Sequence, residues 1–93
     1  MLTCIAKITA QEAHKTTVKL ALQQLLAPTR EETGCINYDM HLDNSADNIF
    51  VFHENWATEA DLDTHLASNH VKACFDTIGN LVESVEVSRL TRV

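Results

Sequence analysis

Along this chain, four stretches alternate apolar and polar residues with a period of two, and helix-spaced apolar positions fill the intervals. The clearest stretch is Asn48 to His70, NIFVFHENWATEADLDTHLASNH. From Ile49 to Trp56, one side carries Phe50, Phe52, Glu54 and Trp56, and the other Ile49, Val51, His53 and Asn55. Three of the five aromatic residues therefore share a face with a carboxylate. Thr58 is placed to cap a following helix, with Asp61 as capping-box partner and Glu59 in the first turn. Leu62 and His65 are three apart on that helix and point the same way. This strand–turn–helix unit brings Glu54, Trp56 and His65 to one place, where the working site is expected.

A first strand is predicted over Leu2 to Ile8, with Leu2, Cys4, Ala6 and Ile8 on one face. Thr9 to Glu12 matches a capping box and predicts the start of a helix whose stripe is Val18, Ala21, Leu22 and Leu25. Pro28 should kink or restart it, Glu31 and Glu32 continue it, and Gly34 is a candidate C′ residue. The second strand, Cys35 to Leu42, shows Ile36, Tyr38, Met40 and Leu42 on one face. Folding the hairpin about Asp43–Asn48 pairs Ile36 with Trp56, Tyr38 with Glu54, Met40 with Phe52 and Leu42 with Phe50. The second helix should bend near Ser68–His70, then continue through Val71, Phe75, Ile78 and Val82. A last strand covers Ser84 to Thr91. The order β-α-β-β-α-β predicts an α+β, ferredoxin-like fold, a four-stranded antiparallel sheet with both helices on one face. The other sheet face mixes Thr3, Ile5, Lys7, Asn37, Asp39, His41, Val51, His53 and Asn55. It fits a solvated surface and a wet subunit interface equally well.

Composition narrows the function classes. Ninety-three residues, with 45% hydrophobic content and only 2 Gly and 1 Pro, suit one packed domain over residues 1–93. The net charge of −6 and the absence of a Lys/Arg cluster argue against nucleic acid or an anionic membrane as partner. No apolar run reaches the roughly 20 residues that span a bilayer. The start, MLTCIAKITA, is not expected to be a signal peptide. Cys4, Cys35 and Cys74 are odd in number and widely spaced, as expected for thiols in a reducing, cytoplasmic setting.

Three motifs, E-E-x-G-C-x-x-Y (Glu31 to Tyr38), E-x-W (Glu54 to Trp56) and H-L-x-S-x-H (His65 to His70), occur together in this βαββαβ order. In this the chain resembles the antibiotic biosynthesis monooxygenase family, and most closely its small quinol monooxygenases. The resemblance implies a homodimer in which two sheets pack as an α+β barrel. It also implies oxidation of a small aromatic or quinol by O₂ without metal, flavin or haem, so no cofactor is expected. A haem-degrading branch uses a tryptophan and, ten residues later, a haem-ligating histidine. The corresponding positions here are His65 and Phe75, so the ligand is missing. Two alternatives remain: an enzyme that isomerises or processes a small sugar-derived phosphate, and a non-catalytic dimeric module that binds an aromatic metabolite.

The candidate catalytic residues are His65, as base or hydrogen-bond donor, and Glu54, whose apolar surroundings should raise its pKa. Trp56, Tyr38, Phe52 and His70 are candidates for substrate binding, the first three as aromatic wall and His70 at the rim. Each has a plainer alternative: Glu54 and Tyr38 bonded for structure alone, His65 as a satisfied core histidine, His70 as a cap. His65 and His70 are five apart, about 140° round one helix, and are not expected to form a metal pair.

Overall fold

The computed structural model describes residues 1–93. Its elements are β1 (Leu2–Ala10), α1 (Lys15–Gln23), α2 (Leu26–Arg30), β2 (Cys35–Leu42), β3 (Ile49–Trp56), α3 (Glu59–Leu66), α4 (Asn69–Ile78) and β4 (Val82–Leu90). The strands form one antiparallel sheet in the order β2-β3-β1-β4, the ferredoxin-like arrangement. β3 is an interior strand, so its inner face has neighbours on both sides. That face, Phe50, Phe52, Glu54 and Trp56, is entirely buried. Helix residues Val18, Leu22, Leu62, Val71 and Ile78 close over it. Burying each large apolar side chain contributes about 1.5–3 kcal/mol, so this layer carries much of the core.

The helix boundaries follow local chemistry. Thr58 Oγ1 accepts the Asp61 N–H at the start of α3, and Ser68 Oγ accepts the Val71 N–H at the start of α4. The expected bend at Ser68–His70 is therefore a full restart with its own cap. Pro28 sits in the first turn of α2, where a missing N–H costs no helical hydrogen bond.

Three expectations are corrected. Thr9 does not cap α1. The strand continues to Ala10, whose N–H goes to Asn48 O, and Gln11 N–H goes to Leu81 O. With those donors used in cross-strand contacts, the first helix begins with a 3₁₀ turn over Glu12–His14. Ile36 does not face Trp56. The register slips between Cys35 and Asn37, Cys35 pairs with Trp56, and Ile36 is left 56% exposed. The Tyr38–Glu54, Met40–Phe52 and Leu42–Phe50 pairs form as expected. Gly34 is not the C′ residue of α2, which ends at Arg30. It turns the chain into β2 with φ +82°, and its carbonyl accepts the Ala57 N–H at 2.8 Å.

Gly34 is the one residue of the chain with positive φ. A Cβ there would collide with the Asp61 side chain at the start of α3. Gly34→Ala therefore combines a left-handed backbone, about 1–2 kcal/mol for a residue with a side chain, with displacement of Asp61. The expected outcome is a destabilisation of about 2 kcal/mol, measured by denaturant unfolding. An unchanged midpoint would show that the turn relaxes freely.

Candidate active site

The inner sheet face and the helices enclose a cavity of about 60 Å³. Its wall is apolar except for Glu54 and His65, with the Tyr38 ring beside them. Phe52 also lines it, and Val85 and Val87 of β4 form its lip. Those two valines are 43% and 45% exposed, so the cavity opens along the edge strand.

Glu54 is 3% exposed. Cross-strand neighbours Cys4 and Tyr38 flank it, and one of its oxygens, Oε1, accepts the Trp56 Nε1–H at 3.0 Å. Burial pushes its carboxyl up to about 7, more than the indole hydrogen bond pulls it down, and the Glu32 charge adds to the rise. Protonated and ionised forms are both populated at neutral pH. Burial likewise pushes the Cys4 thiol up to about 12 and leaves it inert.

His65 comes from the inner face of α3 and is also 3% exposed. Its ring lies 4.9 Å from the Trp56 ring and edge-on to Tyr38 at 5.3 Å, centroid to centroid. Nδ1 is 2.7 Å from Glu32 Oε2, and that same oxygen is 2.8 Å from His70 Nε2. Burial lowers the His65 pKa, Glu32 opposes this, and His70 adds to the lowering. The imidazole is therefore neutral at pH 7.

Burial holds the Tyr38 phenol far above its ordinary range, with the Glu54 charge adding to the rise. The Thr29 hydroxyl lies near enough to act slightly the other way, but not in hydrogen-bonding geometry. Thr29 Oγ1 is the one fully enclosed side-chain polar atom without a partner. His65 Nε2, Glu54 Oε2 and Tyr38 Oη have no protein hydrogen-bond partner, and all three residues line the cavity.

Of the residues expected at the site, His65, Glu54, Tyr38 and Phe52 line the cavity. Trp56 does not. It is 0% exposed and stands behind His65 as a support. His70 lies outside, in a surface recess between α1 and α4 with Ala21, Cys74 and Thr77. Glu32 was not anticipated at the site. Its only sequence signal is its place in the E-E-x-G-C motif, since nothing in the spacing ties residue 32 to residues 65 and 70. The reason for rejecting a histidine pair also fails, because α3 and α4 are separate helices. Glu32 Oε2, His65 Nδ1 and His70 Nε2 lie within 4.8 Å of one another, close enough and of the right type to hold a divalent metal ion.

Together the cavity groups can take a proton from a weakly acidic substrate and donate hydrogen bonds to the resulting anion. The chain is similar to several known proteins. The family model described as antibiotic biosynthesis monooxygenase matches residues 1–77. PA3566 from Pseudomonas aeruginosa is similar at 34% identity and a TM-score of 0.93, over 99% of this chain and 93% of that one. A crystal structure described as an antibiotic biosynthesis monooxygenase is similar at 29% identity and TM-score 0.94, over 100% and 99% of the two chains. Rv0793 from Mycobacterium tuberculosis follows at 25% identity and TM-score 0.91, over 99% and 94%. The uncharacterised protein sll1783 of Synechocystis is 44% identical over 43 residues, 46% of this chain and 29% of that protein's length.

The raised pKa of Glu54 has a consequence for stability. Its folded pKa of about 7 lies above its ordinary 4.5. The stabilisation from holding that proton is complete below the lower value and is lost as pH rises to the upper one. A glutamine keeps an acceptor for Trp56 Nε1 and never ionises. Glu54→Gln should match the parent's melting midpoint near pH 4.5 and exceed it near pH 8, where the parent bears a penalty on the order of 3 kcal/mol. Equal midpoints at both pH values would refute the buried-carboxyl assignment.

Proposed function

We propose that this chain, which belongs to the antibiotic biosynthesis monooxygenase family, is a cofactor-independent monooxygenase that oxidises a small aromatic or quinol-type substrate with O₂. The observation that supports it is the cavity itself. An imidazole whose Nε2 has no protein partner lines an apolar space beside a carboxyl group and a phenol.

His65 Nε2 is the base in this reading. Removing the proton of a phenolic substrate gives an anion electron-rich enough to pass electrons to O₂ directly. The protonated form of Glu54, and Tyr38, donate hydrogen bonds to the developing oxyanion, which apolar walls alone would disfavour. For a substrate SH₂ the balance is SH₂ + O₂ → SO + H₂O, with all four electrons that reduce O₂ drawn from the substrate. The cavity is smaller than the ~150 Å³ cavity that takes up benzene. The reacting edge of the ring therefore enters, and the remainder lies over Val85 and Val87.

No Lys or Arg lines the cavity, so a phosphate group would find no charged partner there. This leaves the sugar-phosphate alternative without support. The proposal includes a homodimer through the outer sheet face. On that face Ile5, Val51 and Leu90 accompany a hydrogen-bonded chain, from Thr3 Oγ1 to Asn55 Oδ1 at 2.6 Å and from Asn55 Nδ2 to Asn37 Oδ1 at 2.6 Å.

Three measurements test this. In solution the protein should be a dimer burying about 1,600 Å² or more; a stable monomer by light scattering at micromolar concentration would remove the interface. His65→Ala should lower O₂ consumption with a hydroquinone by roughly 10²–10⁴-fold, with a smaller proportional change in melting midpoint. If the variant keeps full turnover per folded protein, or if unfolding explains all the loss, His65 is not the base. Aromatic binding seen by Trp56 fluorescence, with no O₂ uptake by the parent, would indicate a binding module instead.

A further inference from the structure

We infer that Glu32 is the positioning residue of the cavity imidazole, setting which of its nitrogens carries hydrogen, and that His70 holds Glu32 in place. This rests on the reading of His65 as the base. One oxygen, Glu32 Oε2, lies 2.7 Å from His65 Nδ1 and 2.8 Å from His70 Nε2. An ionised carboxylate has no hydrogen to give. His65 Nδ1 and His70 Nε2 must therefore both donate to it, and a neutral His65 ring leaves its other nitrogen bare. For His65, which lines the cavity, that other nitrogen is Nε2, which has no protein partner. The opposite tautomer would present an N–H to the substrate and no base at all.

The same carboxylate has a second effect. When Nε2 takes a proton, the imidazolium forms in a site where burial disfavours charge, with a negative oxygen 2.7 Å from its far side. Glu32 thus keeps the ring able to accept the proton that desolvation would otherwise refuse. Four titratable groups face the ring: Glu32 from the turn after α2, Tyr38 from β2, Glu54 from β3 and His70 from α4. Only Glu32 hydrogen-bonds to it.

His70 is 26% exposed at its side chain and opens towards the recess, not the cavity. Its N–H on Oε2 restrains the carboxylate from outside. Both histidines reach one oxygen because the helix breaks at Ala67 and restarts at the Ser68 cap. A continuous helix would set them about 140° apart. The turn behind Glu32 is closed by Cys35 N–H to Glu32 O at 3.2 Å, next to the positive-φ Gly34.

The test reads the tautomer directly. In the ¹⁵N NMR spectrum of the unmodified protein, His65 should show a protonated Nδ1 and a bare Nε2 at neutral pH. In Glu32→Gln the bare-Nε2 form should lose its dominance. With a hydroquinone and O₂, kcat should fall about 100-fold with KM little changed. The acidic limb of the pH profile should move to lower pH, because the carboxylate no longer favours the imidazolium. A merely structural glutamate would leave that limb in place. An Nε2–H tautomer in the unmodified protein would overturn the inference, and so would a Glu32→Gln variant with unchanged kcat. Retention of one divalent metal per chain through chelator dialysis would do the same, since both ring nitrogens would then be ligands with no hydrogen to donate. The spectrum needs no turnover. Correct tautomers without O₂ uptake would therefore count against the monooxygenase reading and leave the role of Glu32 standing.

Discussion

Four residues of the interior strand β3 point inward, and one of them is a carboxyl group. Phe50, Phe52 and Trp56 drive the burial of that face, and Glu54 is carried in with them. Its pKa is the result of two unequal effects, a large desolvation and a single indole hydrogen bond. A carboxyl on an edge strand could turn to water. On β3 it is flanked by β1 and β2 and covered by helices. The sheet order is therefore a precondition for whatever chemistry Glu54 performs.

The helices supply the second half of the site by being discontinuous. The α3–α4 break places His65 over the cavity and His70 at its back, and the break between α1 and α2 lets the chain turn so that Glu32 lies between them. Both interruptions arise from small local features: a serine cap before α4 and a proline in the first turn of α2. Trp56 links the two halves, with its N–H on Glu54 and its ring against His65. It organises both groups without lining the cavity. No helix is long and apolar enough to cross a membrane, and the helices instead pack their apolar stripes on the sheet.

Much of this was legible in the sequence because it is periodic. Alternation gave the strands and their inner faces, and most of the β2–β3 register followed from keeping apolar faces together, as Tyr38–Glu54 and Met40–Phe52 confirm. Thr58 could be read as a cap because a cap acts within three residues. The exceptions were decided by partners distant in sequence. The Thr9–Glu12 capping box was overridden by cross-strand hydrogen bonds to Asn48 and Leu81. The bulge that releases Ile36 has no signature in the alternation.

The sequence by itself determined that Glu54 lies on a buried aromatic face and that His65 points the way Leu62 points, because periodicity sets direction. Only the tertiary structure decided what those side chains meet. Glu32 is 33 residues from His65 and 38 from His70, and one carboxylate oxygen joins all three. No local rule relates such positions, since a hydrogen bond depends on distance in space, and that is set by how the helices pack on the sheet.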